Sequence, residues 1–242
     1  MMKPVALITG ANKGIGFEIA HQLGMLKYRV IIGARNAERG VLAAKTLRNE
    51  GIEAYSFELD VTDSGSIAAL PGFIRSNTGQ LDVLVTNAAI LIDYDGPPLS
   101  QTDMQVLRQT FETNFFGVLA VTQAVFPFLQ ESPAGRIVNL SSSVGSLASI
   151  LDTASPLSRV VSPAYQASKT AVNALTVLLA KELAATNIKV NSACPGAVKT
   201  DQNSTRGVLS VGEGADTPVW LATLLSEGPN GSFFNSRKPV PW

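Results

Sequence analysis

Tyr165 and Lys169 stand four residues apart in Tyr165-Gln166-Ala167-Ser168-Lys169. On a helix this spacing puts both on one face, so both reach one point in a cleft. A free phenol ionises near pH 10, and passing a proton near neutrality asks for a shift of roughly 3 units, about 4 kcal/mol. A neighbouring ammonium favours the phenolate and supplies part of that. Ser162 and Pro163 have the character of an N-cap and a first helical residue, which predicts Tyr165 in the first turn, where the helix dipole adds a smaller contribution. On spacing alone, an exposed tyrosine beside a solvated lysine is the alternative. Upstream, Arg136–Leu140 has strand character and delivers Ser141-Ser142-Ser143 to the sheet edge. A hydroxyl there can hydrogen-bond a carbonyl oxygen and help hold a developing oxyanion. Spacing does not rank the three serines.

A second group of residues could hold a phosphorylated cofactor. The first apolar run leads into Thr9-Gly10-Ala11-Asn12-Lys13-Gly14-Ile15-Gly16, and a helical pattern follows. Glycines there permit a tight turn and let the backbone approach a pyrophosphate, while the helix start offers free N–H groups and the positive end of its dipole. Three residues separate the first two glycines, so the turn differs from that of G-x-G-x-x-G. About twenty residues after the last glycine, where NAD sites usually carry an acid, the sequence reads Ala34-Arg35, with no carboxylate until Glu38. A guanidinium suits a 2′-phosphate through a bidentate, charge-assisted bond, and Lys13 offers a second cation. The expected cofactor is therefore NADPH in preference to NADH, against the reading of Arg35 as a solvated charge.

These residues need elements to position them. Strand candidates are Val5–Thr9, Arg29–Gly33, Ala54–Leu59, Val83–Thr86, Arg136–Leu140 and Lys189–Ala193, with a last one near Ser232–Asn235. Several are continuous apolar runs, as expected for a parallel sheet covered on both faces. Between them lie helical stretches at Ile15–Leu26, Ala37–Asn49, Ser64–Asn77, Thr102–Leu129 and Pro163–Ala185. The alternation predicts right-handed βαβ units in a doubly wound α/β sheet. Leu91–Gln101 and Leu147–Ser162 are irregular and follow strands, so both should rise over the carboxyl edge, where ligands bind in this architecture.

The chain has 242 residues, 19 basic and 19 acidic, with no block of like charge. That argues against a general nucleic-acid or anionic-membrane binder. A single cysteine, Cys194, excludes an internal disulfide and reads as a small core residue; a single histidine, His21, leaves no zinc cluster. The N-terminal apolar run is too short for a signal peptide, and no apolar stretch approaches the ~18 residues of a membrane span. A soluble cytoplasmic protein is expected.

Taken together, the residues resemble the short-chain dehydrogenase/reductase family. Its motifs are matched in order by Thr9-Gly10…Gly14-Ile15-Gly16, Asp60-Val61-Thr62, Asn87-Ala88-Ala89, Asn114 within Thr-Asn-Phe-Phe-Gly, Ser142, Tyr165…Lys169 and Pro195-Gly196. They cover nearly the whole chain. The resemblance implies a single Rossmann-type domain over residues 1–242, a doubly wound parallel sheet of about seven strands in the order 3-2-1-4-5-6-7 with helices on both faces. It also implies roles. Tyr165 donates the proton, Lys169 lowers its pKa and holds the nicotinamide ribose, Ser142 orients the substrate carbonyl, and Asn114 supports a water-linked proton relay through Lys169. Asp60 and Val61 contact the adenine side, and Asn87, Ala88 and Ala89 line the cofactor cleft with the glycine-loop residues Gly10, Asn12, Lys13, Gly14, Ile15 and Gly16. Pro195, Gly196, Val198 and Thr200 belong to the clamp on the carboxamide. Within the family, Asn12-Lys13-Gly14-Ile15-Gly16, Cys194-Pro195-Gly196 and Glu213-Gly214-Ala215-Asp216-Thr217-Pro218 are similar to NADPH-dependent carbonyl reductases of the monomeric type, in which the pair matching Lys13 and Arg35 binds the 2′-phosphate.

Three departures stand out. Thr86 and Ala89 replace the family's usual asparagine and glycine, the Ser142–Tyr165 gap is about ten residues long in excess, and the C-terminus lacks the ending common in tetrameric members; monomer and homo-oligomer both stay open. The expected activity is reduction of a small ketone or aldehyde by hydride transfer. Alcohol oxidation by the same residues is one alternative, and a non-catalytic dinucleotide sensor on the same fold is another. Expected substrate walls are Ile90–Leu99, Val144–Pro163 and Asp201–Leu209, whose mixture of apolar side chains and few charges suits moderately hydrophobic carbonyls.

Overall fold

Aliphatic runs and amphipathic stretches alternate along the chain, and so do the elements they form. In the computed structural model, which describes residues 3–202 and 206–242, these are β1 (Val5–Thr9), α1 (Gly14–Met25), β2 (Arg29–Ala34), α2 (Ala37–Asn49), β3 (Ala54–Glu58), α3 (Ser64–Asn77), β4 (Val83–Thr86), α4 (Met104–Phe111), α5 (Gly117–Glu131), β5 (Arg136–Leu140), α6 (Leu147–Leu151), α7 (Pro163–Glu182), β6 (Lys189–Cys194), α8 (Val211–Ala222), β7 (Phe233–Asn235) and β8 (Lys238–Pro239). Among the described residues they build one sheet in the order β3-β2-β1-β4-β5-β6-β7-β8, parallel except for the last pair. No helix among them is long and apolar enough to cross a membrane.

Each strand feeds two cores, because successive side chains point to opposite faces. From β1, Ala6 and Ile8 enter the layer containing Ile19, Leu23 and Leu47 of α1 and α2 and Leu221 of α8. Val5 and Leu7 enter the other, with Leu70 and Ile74 of α3, Val121, Val125 and Phe128 of α5, and Ala180 of α7. Burying one such aliphatic side chain contributes roughly 1.5–3 kcal/mol, enough to hold the strand order against slippage. The carboxyl ends Thr9, Ala34, Thr86, Leu140 and Cys194 consequently share one rim.

The structure departs from the sequence expectation in four elements. The Thr102–Leu129 helix is not continuous: a π-helical turn at Glu112–Phe116 separates α4 from α5. Leu147–Ser162 is not wholly irregular, since it contains α6 and a 3₁₀ turn at Pro156–Arg159. The unpredicted α8 starts with a capping box in which the Ser210 hydroxyl accepts from Glu213 N, a signal visible as Ser-x-x-Glu. Gly212, Gly214 and Pro218 mask it by weakening the helical pattern, although a Cβ on Gly214 would come within 2.5 Å of Val198. Beyond the seven expected strands, β8 returns antiparallel to β7 through Ser236 and Arg237, both at positive φ. These residues do not favour that turn. It is held from outside, by Arg237 N donating to Thr217 Oγ1 at 3.0 Å and Arg237 Nε donating to Asp216 Oδ2 at 2.8 Å.

Candidate active site

The glycine loop is braced before it meets any ligand. Gly10 and Gly14 adopt positive φ (64° and 59°), a conformation costly for other residues. Asn87 Nδ2 donates to Thr9 O (2.8 Å) and Gly10 O (3.1 Å), and Thr9 Oγ1 accepts from Asn87 N and Ala88 N, both at 2.9 Å. A Cβ on Gly16 would lie 2.4 Å from Asn87 Nδ2, so the start of α1 can approach the end of β4 only as glycine. No side chain among the described residues caps α1, so its first-turn amides have no side-chain partner.

Above this loop opens a cleft of about 720 Å³. Thirteen of the expected cofactor residues line it: Gly10, Asn12, Lys13, Gly14, Ile15, Gly16, Arg35, Asp60, Val61, Asn87, Ala88, Ala89 and Thr200. Lys199 and Asp201, from the expected clamp segment and substrate wall, line it too, as do Asn36, Arg39 and Glu112, which sequence reasoning missed. Arg39 had a local signal, lying one turn into α2 beyond its N-cap Asn36, whose Oδ1 accepts from Arg39 N at 2.8 Å. Arg35, Arg39 and Lys13 thus put three cations at one end of the cleft. Lys13 is also ion-paired with Asp201, which holds that carboxylate below its ordinary pKa. Asn114, Tyr165, Lys169, Pro195, Gly196 and Val198 do not line the cleft; Gly196 turns the chain at φ 80°, and Val198 is buried against Gly214. Residues 203–205 of the expected Asp201–Leu209 wall lie outside the described residues.

Beyond the rim, the tyrosine, lysine and serine converge. Lys169 is 3% exposed, and its Nζ donates to Leu140 O, the last carbonyl of β5, at 2.7 Å. Burial lowers its pKa to about 8. The same Nζ lies 5.5 Å from the centroid of the Tyr165 ring. Of the three serines, Ser141 is buried and donates to Lys169 O (3.3 Å), and Ser143 donates to Cys194 Sγ (3.2 Å). Ser142 is half-buried, its hydroxyl accepts only from Val144 N at 3.4 Å, and it acts to lower the pKa of the Tyr165 phenol. Tertiary structure therefore ranks what spacing left open. The serine turn can sit on α7 because a Cβ at Gly145 would meet Lys169 Cβ at 2.7 Å and Thr170 N at 2.9 Å.

One expectation needs correction. In the free protein the Tyr165 phenol is pushed above its ordinary value, first by burial and then by the Cys194 thiol, with hydrogen bonding from Ser142 acting in the opposite direction. The nearby lysine does not offset this, because desolvation of the buried phenol dominates. At the start of α7, Ser162 and Pro163 are the N-cap and first helical residue, as expected. Yet the Ser162 side chain caps nothing and its buried Oγ has no partner. The cap comes from Asp93, in the segment after β4, whose Oδ2 accepts from Ala164 N at 2.6 Å and Tyr165 N at 3.4 Å.

Asn114 sits fully buried in the π-helical turn. Its Oδ1 accepts from Ile90 N (2.8 Å), and its Nδ2 donates to Ile90 O (2.9 Å) and Ser168 Oγ (3.0 Å). Such a turn inserts one residue into a helix and often marks a functional site. Here it carries Asn114 between the segment after β4 and α7.

A match to the short chain dehydrogenase family covers residues 4–207. The chain belongs to that family. This short-chain dehydrogenase is 36% identical to (+)-neomenthol dehydrogenase of Arabidopsis thaliana, covering 97% of this chain and 96% of that protein. It is 35% identical to carbonyl reductase (NADPH) 1 of Sus scrofa, covering 98% and 94%. A solved short chain dehydrogenase from Shigella flexneri, complexed with NADP, superposes with a TM-score of 0.85 at 28% identity over 97% of both chains.

Proposed function

We propose that this protein is an NADPH-dependent carbonyl reductase that converts ketones and aldehydes to alcohols, with Tyr165 as proton donor. The observation that carries the reading is the buried Lys169 Nζ held 5.5 Å from the Tyr165 ring centroid by Leu140 O, in a chain whose glycine-loop cleft is lined by Lys13, Arg35 and Arg39. The residues fit a dinucleotide phosphate: the backbone of Gly10 occupies a place where a Cβ would lie 3.0 Å from Ala88 Cα, and the uncapped start of α1 suits a pyrophosphate. Arg35, with Lys13 and Arg39 beside it, matches a 2′-phosphate. The name of the porcine relative, an NADPH carbonyl reductase, agrees with that preference.

NADPH, when bound, supplies the hydride. The chain's own residues do the rest. Ser142, free of the commitments that occupy Ser141 and Ser143, holds the carbonyl oxygen. Tyr165, kept protonated by burial, delivers the proton as charge develops on that oxygen. Lys169 is anchored by Leu140 O, which sets its ammonium beneath the phenol. Both Nδ2 hydrogens of Asn114 are already used, so its side chain positions α7 and only its main chain is left for a water-linked relay. The substrate class is moderately hydrophobic carbonyl compounds. Alcohol oxidation is the second reading, favoured by the name of the Arabidopsis relative.

The test is absorbance loss of NADPH, and separately of NADH, against a diverse carbonyl panel, with Tyr165→Phe alongside. Reduction with NADPH, lost in the phenylalanine variant, is expected. A Tyr165→Phe protein as fast as the parent, or a preference for multiply charged sugar phosphates, would contradict the assignment.

A further inference from the structure

We propose that Asp93 is a positioning residue for the reaction: it fixes the first turn of α7, and with it the backbone that carries Tyr165. This rests on the reading of Tyr165 as proton donor.

The first turn of a helix has N–H groups without intrahelical partners. In α7, Pro163 brings no N–H, and Gln166 N is already bonded to Ser162 O at 2.8 Å. Two orphan donors are left, Ala164 and Tyr165, and both go to Asp93 Oδ2. The nearer candidate, Ser162, supplies nothing. Asp93 is 7% exposed, and its Oδ1 is buried without a partner. An unpaired buried carboxylate oxygen is costly, so the site pays for its charge only in part through the positive end of the helix.

The same segment also grips Tyr165 from its other end. Tyr165 O accepts from Ser168 Oγ (2.8 Å), Ser168 Oγ accepts from Asn114 Nδ2 (3.0 Å), and Asn114 is bonded to both the N–H and the carbonyl of Ile90. Ile90 and Asp93 are three residues apart after β4. The N–H and the carbonyl of the tyrosine are therefore both tied to the segment after β4 that also carries the cofactor-side residues Asn87 to Ala89. That arrangement sets the phenol relative to the cleft.

Asp93→Ala is expected to lower kcat for carbonyl reduction by about ten- to a hundredfold, the scale of a misplacement near 1 Å, with KM for NADPH within about twofold. Proton delivery then limits turnover more strongly, so the solvent deuterium isotope effect on kcat rises. Asp93→Asn, whose amide oxygen still accepts from Ala164 N, restores most of the rate. If the alanine variant does not fold, Asp93→Ser, too short to reach Ala164 but less cavity-forming, takes its place with the same expectation. An unchanged kcat in the alanine or serine variant overturns the proposal, as does an asparagine variant as impaired as alanine, or a KM for NADPH that rises in step with the loss. Tyr165→Phe, assayed in parallel, keeps two failures apart. If it is fully active, the proton-donor reading falls. If it is inactive while Asp93→Ala is unimpaired, only the role of Asp93 falls.

Discussion

At the residue scale, burial sets the chemistry more than pairing does. Lys169 has an ordinary value of 10.5 that burial lowers to about 8, while the same burial pushes Tyr165 upward. Between pH 8 and 10.5 the unfolded chain therefore holds the lysine proton that the folded protein has released, and folding gains stability from this residue as pH rises through that window. Thermal unfolding of the parent and Lys169→Met should accordingly show a stability difference that moves in favour of the parent between pH 7 and pH 10. A constant difference would mean that the ammonium is not desolvated. On the cleft lining, Arg35 is exposed and forms no ion pair among the described residues, so its charge is available to a phosphate. Arg35→Ala should reduce the NADPH-over-NADH ratio of kcat/KM by about tenfold or more, the loss of one charge-assisted contact worth ~1.5–3 kcal/mol. An unchanged ratio would assign the preference to Lys13 and Arg39.

At the scale of elements, the site depends on how closely the serine turn and α7 approach. Gly145 is the contact point, with backbone and Cβ atoms of Lys169 and Thr170 inside 3 Å of any added methyl. Backbone cannot yield as a flexible side-chain tip can, so Gly145→Ala should destabilise by about 1–3 kcal/mol and separate Ser142 from Tyr165. A fall in Tm together with a loss of kcat larger than the change in KM is the expected result. Full activity in a stable alanine variant would show that the turn has room to move. Much of this scale was legible: seven strands and the helices at residues 14–25, 37–49, 64–77 and 163–182 lie where the sequence pattern predicts them. The π-helical turn was not, because Thr102–Leu129 keeps a helical pattern through the inserted residue.

At the scale of the molecule, a line of buried polar groups ties the sheet together beneath the site. Thr86 Oγ1 donates to Asn139 Oδ1 (2.8 Å), Asn139 Nδ2 donates to Thr176 Oγ1 (2.9 Å), and Thr176 Oγ1 meets Ser192 Oγ at 2.9 Å. The departure at Thr86 thus serves β4–β5 pairing, and it does so with all four residues buried. Asn139→Leu leaves the buried Thr86 hydroxyl without a partner, while Thr176 keeps Val172 O and Ser192 Oγ, and a cost of about 1–3 kcal/mol follows. Chemical denaturation should show a lowered midpoint with an unchanged slope. No change in midpoint would mean that the hydroxyls find other partners.

Composition and order alone determined the doubly wound sheet, the glycine loop, the missing acid at Arg35 and the tyrosine–lysine pair, because each is written in residue types a few positions apart. Hydrophobic period and local turn chemistry act over that range. What only the tertiary structure decided lies between residues distant in sequence: which serine is free, which carbonyl anchors the lysine, and that Asp93 rather than the Ser162 side chain caps the helix 71 residues further on. Burial and hydrogen-bond partners of this kind exist only once the strands are ordered, and they fix the acidity and placement on which catalysis would turn.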